Sequence, residues 1–408
     1  MENTNERLRR LPAVEVITGH PALQADIAVY SRPLVVDAVR TVMDRARNAA
    51  LAGSEAPSDS ELICSITADL KERCAEPLRQ VINGTGVLVH TNLGRAPLPG
   101  TATPEGYSNL EYDILAGRRG KRGRLVVSMI ARLAGSEAAV IVNNNAAAVY
   151  LALTSLAAGK EVVISRGELV QIGGGFRIPE ILLRSGAVLK EVGTTNKTTL
   201  QDYRAGLGPD TALILKVHRS NFKMIGFVAE ASVRELTSLA REAGVPLIMD
   251  LGSGAVSDVR RYGLPHEPML ADAINDGADL VTASGDKLFG GPQAGLIAGK
   301  RELIERLRKD PFYRALRPDK TVLVGLEFTA RAHLDDAAEE RLPLYRMLAF
   351  PLDKLRVRAE IVMVRLREQG VDCLVVNTQS AVGGGSLPVI ASTSSAGAVP
   401  VSKDCCSS

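Results

Sequence analysis

The stretch at 281–295, VTASGDKLFGGPQAG, constrains this chain more than any other. Leu280, Val281 and Thr282 run as a short β-forming segment into Ser284-Gly285-Asp286-Lys287, and a double glycine then leads to Leu296-Ile297-Ala298. The pattern is strand, tight turn bearing a lysine, strand. An ammonium in an apolar, glycine-rich turn is costly unless its charge is lost or used. A neutral lysine amine can form a Schiff base with a carbonyl, most often that of pyridoxal phosphate. The stretch also reads as a surface turn that happens to carry a lysine, and the upstream sequence must choose between the two.

Val245–Asp250 is a short apolar strand ending in a carboxylate, followed by Leu251-Gly252-Ser253-Gly254. A bound pyridine ring needs an anion beside its nitrogen if it is to accept electrons, and Asp250 is placed to be that anion. Further upstream, 138–142 (AAVIV) runs into Asn143-Asn144-Asn145 and then Ala146-Ala147-Ala148, which open an apolar helical run to Leu156. Such a strand, polar turn and helix start offers free N–H groups from Asn144, Asn145 and Ala146 to a phosphate. Ser284, three residues before Lys287, adds a hydroxyl. Asparagine turns and strand-end aspartates are common separately, but in this order they point to a pyridoxal phosphate enzyme.

The 408 residues suffice for two or three domains, and a net charge of +3 announces no nucleic-acid binder. The five cysteines show neither metal-ligand nor disulfide spacing. The polar start MENTNERLRRLP lacks an apolar signal segment, and no apolar stretch reaches membrane-spanning length, so a soluble cytoplasmic protein is expected. With aromatics at 4%, stacking on exposed bases is not expected to dominate any RNA contact.

Residues 1–75 read as helical, with Leu34, Val35, Ala38, Val39, Val42 and Met43 at helical spacing and Arg40, Arg45 and Arg47 on the other face. Those arginines read first as a solvated surface. LAGSEAPSDS (51–60) is a break, and a second helix is expected over 61–81. Arg95 follows on a Gly-flanked turn after NGTGVLVHTNLG, either in an ordinary loop or aimed at an anion across a site mouth. GRRGKRGR (117–124) is an exposed basic loop, suited to phosphate or simply solvated. From 138 to 300, strands expected at 138–142, 161–164, 188–192, 213–217, 247–250 and 280–283 alternate with helices at 145–156, 178–185, 200–205, 231–242 and 268–276. This alternation predicts an α/β fold with a mostly parallel central sheet, whose strand ends carry Asn143–Asn145, Glu168, His218, Asp250 and Lys287. His218 reads equally as a cofactor contact and as a satisfied loop histidine. GGGFR (173–177) lacks dinucleotide spacing. Arg314 and Arg317 share a face if PFYRALRPDK is helical. Long helices are expected at 321–334 and 344–366, a strand at 371–376, and after Gly383 a Gly/Ser/Ala-rich segment too weakly patterned to complete a domain.

Several blocks together resemble the bacterial selenocysteine synthases (L-seryl-tRNA selenium transferases) among the fold-type I pyridoxal phosphate enzymes. They are INGTGVLVHTNLGRAPL (82–98), YSNLEYDILAGRRGKRG (107–123), AVIVNNNAAAVYLAL (139–153), SRGELVQIGGGFRIPEI (165–181), GTTNKT (193–198), HRSNFKMIGF (218–227), DLGSG (250–254), SGDKLFGGPQAG (284–295) and RALRPDK (314–320). The resemblance spans most of 10–380. It implies Lys287 as the Schiff-base lysine, Asp250 as its pyridinium partner and Asp286 as an acid with a catalytic role. It implies that Arg95, Arg314 and Arg317 bind the selenium donor or the seryl group. It implies a helical tRNA-binding domain at 1–75, a catalytic domain at 76–325, a linking helix with a small α+β domain at 326–408, and homodecamers. The expected reaction converts seryl-tRNA(Sec) to selenocysteinyl-tRNA(Sec) with selenophosphate, through loss of water to an aminoacrylyl-tRNA. One departure stands out: the family continues past GGGSLP with further strands and helices, whereas this sequence ends in VIASTSSAGAVPVSKDCCSS, so the small domain is expected to be incomplete.

Two other readings stay open on residues alone. One is a pyridoxal phosphate lyase acting on a small amino or sugar acid, which would have no use for the arginine-bearing N-terminal helices. The other is an inactive tRNA-binding or scaffold protein.

Overall fold

The computed structural model describes residues 4–74, 80–100, 106–172, 175–383 and 385–400. The chain forms two compact units, Met1–Ile82 and Asn83–Ser408.

In the first unit, helix α1 (Arg32–Leu51) buries Val35, Ala38, Val39, Val42 and Met43 against Leu62, Ile66 and Leu70 of α2 (Asp59–Arg73). Ser58 and Glu61 form a capping box that starts α2, each satisfying a free N–H of the first turn. The helix ends at Arg73, short of the expected 81, ahead of Pro77, whose ring has no N–H to donate. Residues 75–79 lie outside the described residues.

The second unit is built on seven strands: β1 (Ala138–Val142), β2 (Glu161–Ser165), β3 (Val188–Val192), β4 (Thr211–Val217), β5 (Leu247–Gly252), β6 (Leu280–Ser284) and β7 (Gly295–Gly299). Their spatial order is 1-7-6-5-4-2-3, parallel except for β7, which runs antiparallel to both neighbours. Both faces are covered, as doubly wound sheets require. Val140, Val142, Ile248 and Ile297 pack on one face with Leu151 of α4 (Asn145–Ala157). Ala139, Ile141, Met249 and Leu296 pack on the other with Met129 of α3 (Arg124–Leu133) and Leu326 of α5 (Lys320–Leu334). Among the described residues, no helix is long and apolar enough to cross a membrane.

Three expectations are corrected. PFYRALRPDK (311–320) does not form the α-helix that would put Arg314 and Arg317 on one face: a 3-10 turn (Pro311–Arg314) ends at Arg314, and Arg317 lies beyond it. The long helical stretch after 321 breaks into Lys320–Leu334, Ala338–Arg341, Pro343–Leu348 and α6 (Leu352–Glu368), with Asp336 at φ 52° and prolines at 343 and 351 setting the breaks. Among its described residues, the weakly patterned C-terminal segment is regular: β9 (Ser386–Pro400) pairs antiparallel with β8 (Cys373–Gly383). Main-chain pairing needs no apolar period, which is why periodicity did not reveal it.

Candidate active site

The turn after β6 is folded back on itself and buried except at Gln293. Gly285 N donates to Ala294 O (2.8 Å), Gly290 N to Lys287 O (2.9 Å) and Gly291 N to Gly285 O (2.9 Å). Neighbours hold it from outside: Leu288 N donates to Ser253 O (2.9 Å), and Tyr345 Oη donates to Leu288 O (2.7 Å). Gly254, at φ 74°, would place a Cβ 2.2 Å from Ser284 O, so the DLGSG turn can press against this loop only as glycine. Lys287 is consequently 5% exposed, and burial pulls its amine below the ordinary lysine value. An amine held in its neutral form is a nucleophile.

Asp250, 3% exposed at the end of β5, faces Thr282 across the β5–β6 register. Thr282 Oγ1 (2.8 Å) and Asn145 Nδ2 (2.9 Å) both donate to its Oδ1. Burial raises the carboxyl, while these two bonds and the charge of Lys287 act the other way. Asn144 caps α4, its side chain accepting from Ala147 N at 2.9 Å. Ala146 stands in the first turn, where backbone N–H groups lack helical partners. The backbone pairs Ser284 with Gly295 and Gly295 with Val142, so Ser284 sits in the same cross-sheet row as the start of the asparagine turn.

Arg95 reaches this centre from the loop after a 3-10 turn at Thr91–Leu93. Its backbone is left-handed (φ 63°), a strained conformation for arginine. Two contacts tie it down: Arg95 Nη1 donates to Asp286 Oδ2 at 2.5 Å, and Ala96 N donates to Asp286 O at 3.1 Å. Arg314 is exposed, whereas Arg317 stacks 5.4 Å from the Tyr313 ring with Nη1 3.7 Å from Glu111 Oε1. Neither arginine contacts the Lys287 cluster among the described contacts, although Leu316 O between them accepts from Asn143 N at 3.0 Å. The segment therefore flanks the asparagine turn.

His218 N donates to Asp250 O at 2.8 Å, and its Nε2 lies 3.2 Å from Glu267 Oε1 without hydrogen-bond alignment. A cleft of about 620 Å³ opens beside it, lined in part by His218, Arg219, Lys223, Glu267 and Leu387. Glu168 is spent on structure, its carboxylate taking Lys216 Nζ (2.8 Å) and Val217 N (2.9 Å). The basic loop at 117–124 is largely matched locally: Arg119 and Arg122 pair with Glu111, Arg124 with Asp113 and Lys121 with Glu305. Sequence reasoning missed Thr282, Glu267 and Ser220. Only Thr282 left a signal, two residues before Ser284 on a strand that must sit beside the one ending in Asp250.

The cluster fits pyridoxal phosphate. Asn145 Oδ1, His218 Nε2, Ser220 Oγ and Ser253 Oγ are buried without hydrogen-bond partners, a polar set that a small anionic aromatic group would engage. Comparison with known proteins agrees. The family model for L-seryl-tRNA selenium transferase matches residues 81–404, and that for the selenocysteine synthase N terminus matches 8–47. The L-seryl-tRNA(Sec) selenium transferase of Geobacter sulfurreducens is 45% identical over 395 residues, 93% of this chain and 85% of that protein. Its counterpart from Moorella thermoacetica is 47% identical over 401 residues, 95% and 85% respectively. A solved D-glucosaminate-6-phosphate ammonia-lyase shares the fold, with a TM-score of 0.50 over 67% of this chain and 70% of that one at 19% identity. The chain therefore belongs to the L-seryl-tRNA selenium transferase family of fold-type I, pyridoxal phosphate-dependent enzymes.

Proposed function

We propose that this chain converts seryl-tRNA(Sec) to selenocysteinyl-tRNA(Sec) with selenophosphate as the selenium donor. The observation that carries the reading is the buried, neutral-leaning amine of Lys287 beside the buried carboxylate of Asp250, in a chain matched to the family along most of its length. Lys287 would hold the cofactor's carbonyl, Asp250 its ring nitrogen, and the turn Asn144-Asn145-Ala146 with Ser284 its phosphate, while His218 borders the ring. When bound, pyridoxal phosphate withdraws electrons from the substrate's α-carbon, which makes the β-hydroxyl a leaving group.

The protein's own groups then have separate tasks. Lys287 Nζ, when free, would take the substrate's α-proton. Asp250 accepts from Asn145 and Thr282, two bonds that favour its charged form against the burial that raises its carboxyl. Arg95, Arg314 and Arg317 supply positive charge for the anionic selenium donor, with Asp286 holding Arg95 and standing as an acid next to Lys287. The N-terminal unit is proposed to grip the tRNA. Arg40 is exposed there, whereas Arg45 pairs with Asp69 at 3.2 Å and Arg47 with Asp44 at 2.7 Å, so Arg40 is the freest of the three for phosphate. Action in the cytoplasm as a homodecamer belongs to the same proposal.

The test is spectroscopic. Purified protein given pyridoxal phosphate should show a visible band that borohydride bleaches, with the cofactor's mass left on Lys287, and Lys287→Ala should show neither. Absence of the band from the wild type overturns the reading.

A further inference from the structure

The C-terminal turn between β8 and β9 reaches the catalytic lysine. Its approach is fixed by a third strand partner: Leu88 N donates to Ala381 O (3.0 Å), Val89 N to Val382 O (2.8 Å) and Ala381 N to Gly86 O (2.8 Å). Just beyond, Gly385 has φ 77°, and a Cβ built there would stand 2.9 Å from Lys287 Nζ and 3.6 Å from Ser220 Oγ. Ser386 follows, 1% exposed with its hydroxyl unpartnered, and Leu387 lines the cleft that holds His218.

We infer that Gly385 is a positioning residue for Lys287: the missing side chain reserves the space that the amine occupies, making Gly385 and the start of β9 a wall of the Schiff-base site. This rests on Lys287 as the amine that holds the cofactor. A methyl group at 385 would push the amine off its place or displace the turn, because a 2.9 Å approach is closer than carbon and nitrogen tolerate. Positive φ alone does not explain the glycine. Gly370 has nearly the same φ, 78°, with nothing within 4 Å of the point where a Cβ would stand, and so serves as the strain-only control.

The experiment compares Gly385→Ala with Gly370→Ala in two backgrounds, wild type and Lys287→Ala. In the wild-type background, Gly385→Ala should weaken pyridoxal phosphate uptake, read from the borohydride-sensitive band, by at least about tenfold. Gly370→Ala should leave the band intact. Thermal midpoints of the cofactor-free chains form the second readout. Gly385→Ala should lower the midpoint more than Gly370→Ala does, and Lys287→Ala should remove that excess, because the colliding amine is gone. If Gly385→Ala fails to fold alone, recovery of a folded protein in the double variant supports the inference, and failure of the double variant overturns it. A normal band in Gly385→Ala, or the same midpoint loss in both backgrounds, also overturns it. A wild type without the band overturns the cofactor reading, an outcome distinct from either.

Discussion

Asn145 and Asp250 stand 105 positions apart in the chain and are joined by a 2.9 Å hydrogen bond from amide to carboxylate. The residue that opens α4 thereby anchors the carboxylate at the end of β5, although β7 and β6 lie between that strand and β1. One bond ties the proposed phosphate cradle to the proposed ring anion, and each then fixes the other's position.

The same bond makes Asp250→Asn an informative change. Both donors to Asp250 address Oδ1, so an asparagine whose carbonyl takes that place keeps both bonds. What it removes is a buried charge whose carboxyl is raised by desolvation. The cofactor-free variant should therefore unfold at the same temperature as the wild type or higher. Loaded with pyridoxal phosphate, it should turn over on the order of 10²–10³-fold more slowly, because no anion faces the ring nitrogen. Thermal unfolding without cofactor and steady-state kinetics with it check the two halves separately.

Arg95 and Asp286 should behave as one unit. Their contact is 2.5 Å, and Asp286 is 6% exposed, so Arg95→Ala leaves a carboxylate buried without its cation. Arg95→Ala and Asp286→Ala should each destabilise the chain, and the double variant should fall short of their sum by about 0.5–3 kcal/mol. Urea unfolding of the four proteins gives the coupling. Additive losses would show that the contact carries no weight in the folded chain.

Much of this was readable from the chain because buried parallel strands announce themselves. The runs AAVIV, EVVIS and LVTAS are apolar on both faces, and the strands found begin or end within two residues of those expected. That Lys287, Asp250 and the asparagine turn come together was legible for a related reason: the carboxyl ends of such strands gather at one edge of the sheet. What escaped depends on distance in the fold rather than on pattern. Nothing near residue 267 marks Glu267 as a neighbour of His218, and the approach of Gly385 to Lys287 exists only once 381–382 pairs with 86–89. The arginines misled in the opposite direction. Arg314 and Arg317 are three apart, but Pro311 and Pro318 bracket a turn too short for α-helical facing.

His333 supplies an acid limit for the same site. It lies on α5 between Phe289 (5.4 Å) and Tyr345 (5.0 Å), with Nε2 2.9 Å from Phe289 O, directly behind the turn that carries Lys287. Burial pushes the imidazole down to about 4 from its ordinary 6.5. The unfolded chain then binds a proton between those values that the folded chain refuses. Stability is therefore full above the ordinary histidine value and is lost as pH falls from 6.5 toward 4. The loss over that window is on the order of 3 kcal/mol. His333→Phe keeps the ring packing without the titrating nitrogen, so its thermal midpoint should fall less steeply between neutral pH and pH about 4.5. Because Phe289 follows Lys287 by two residues, wild-type protein should also release pyridoxal phosphate across this window more readily than the variant. Parallel acid profiles for the two proteins would place the sensitivity in another group.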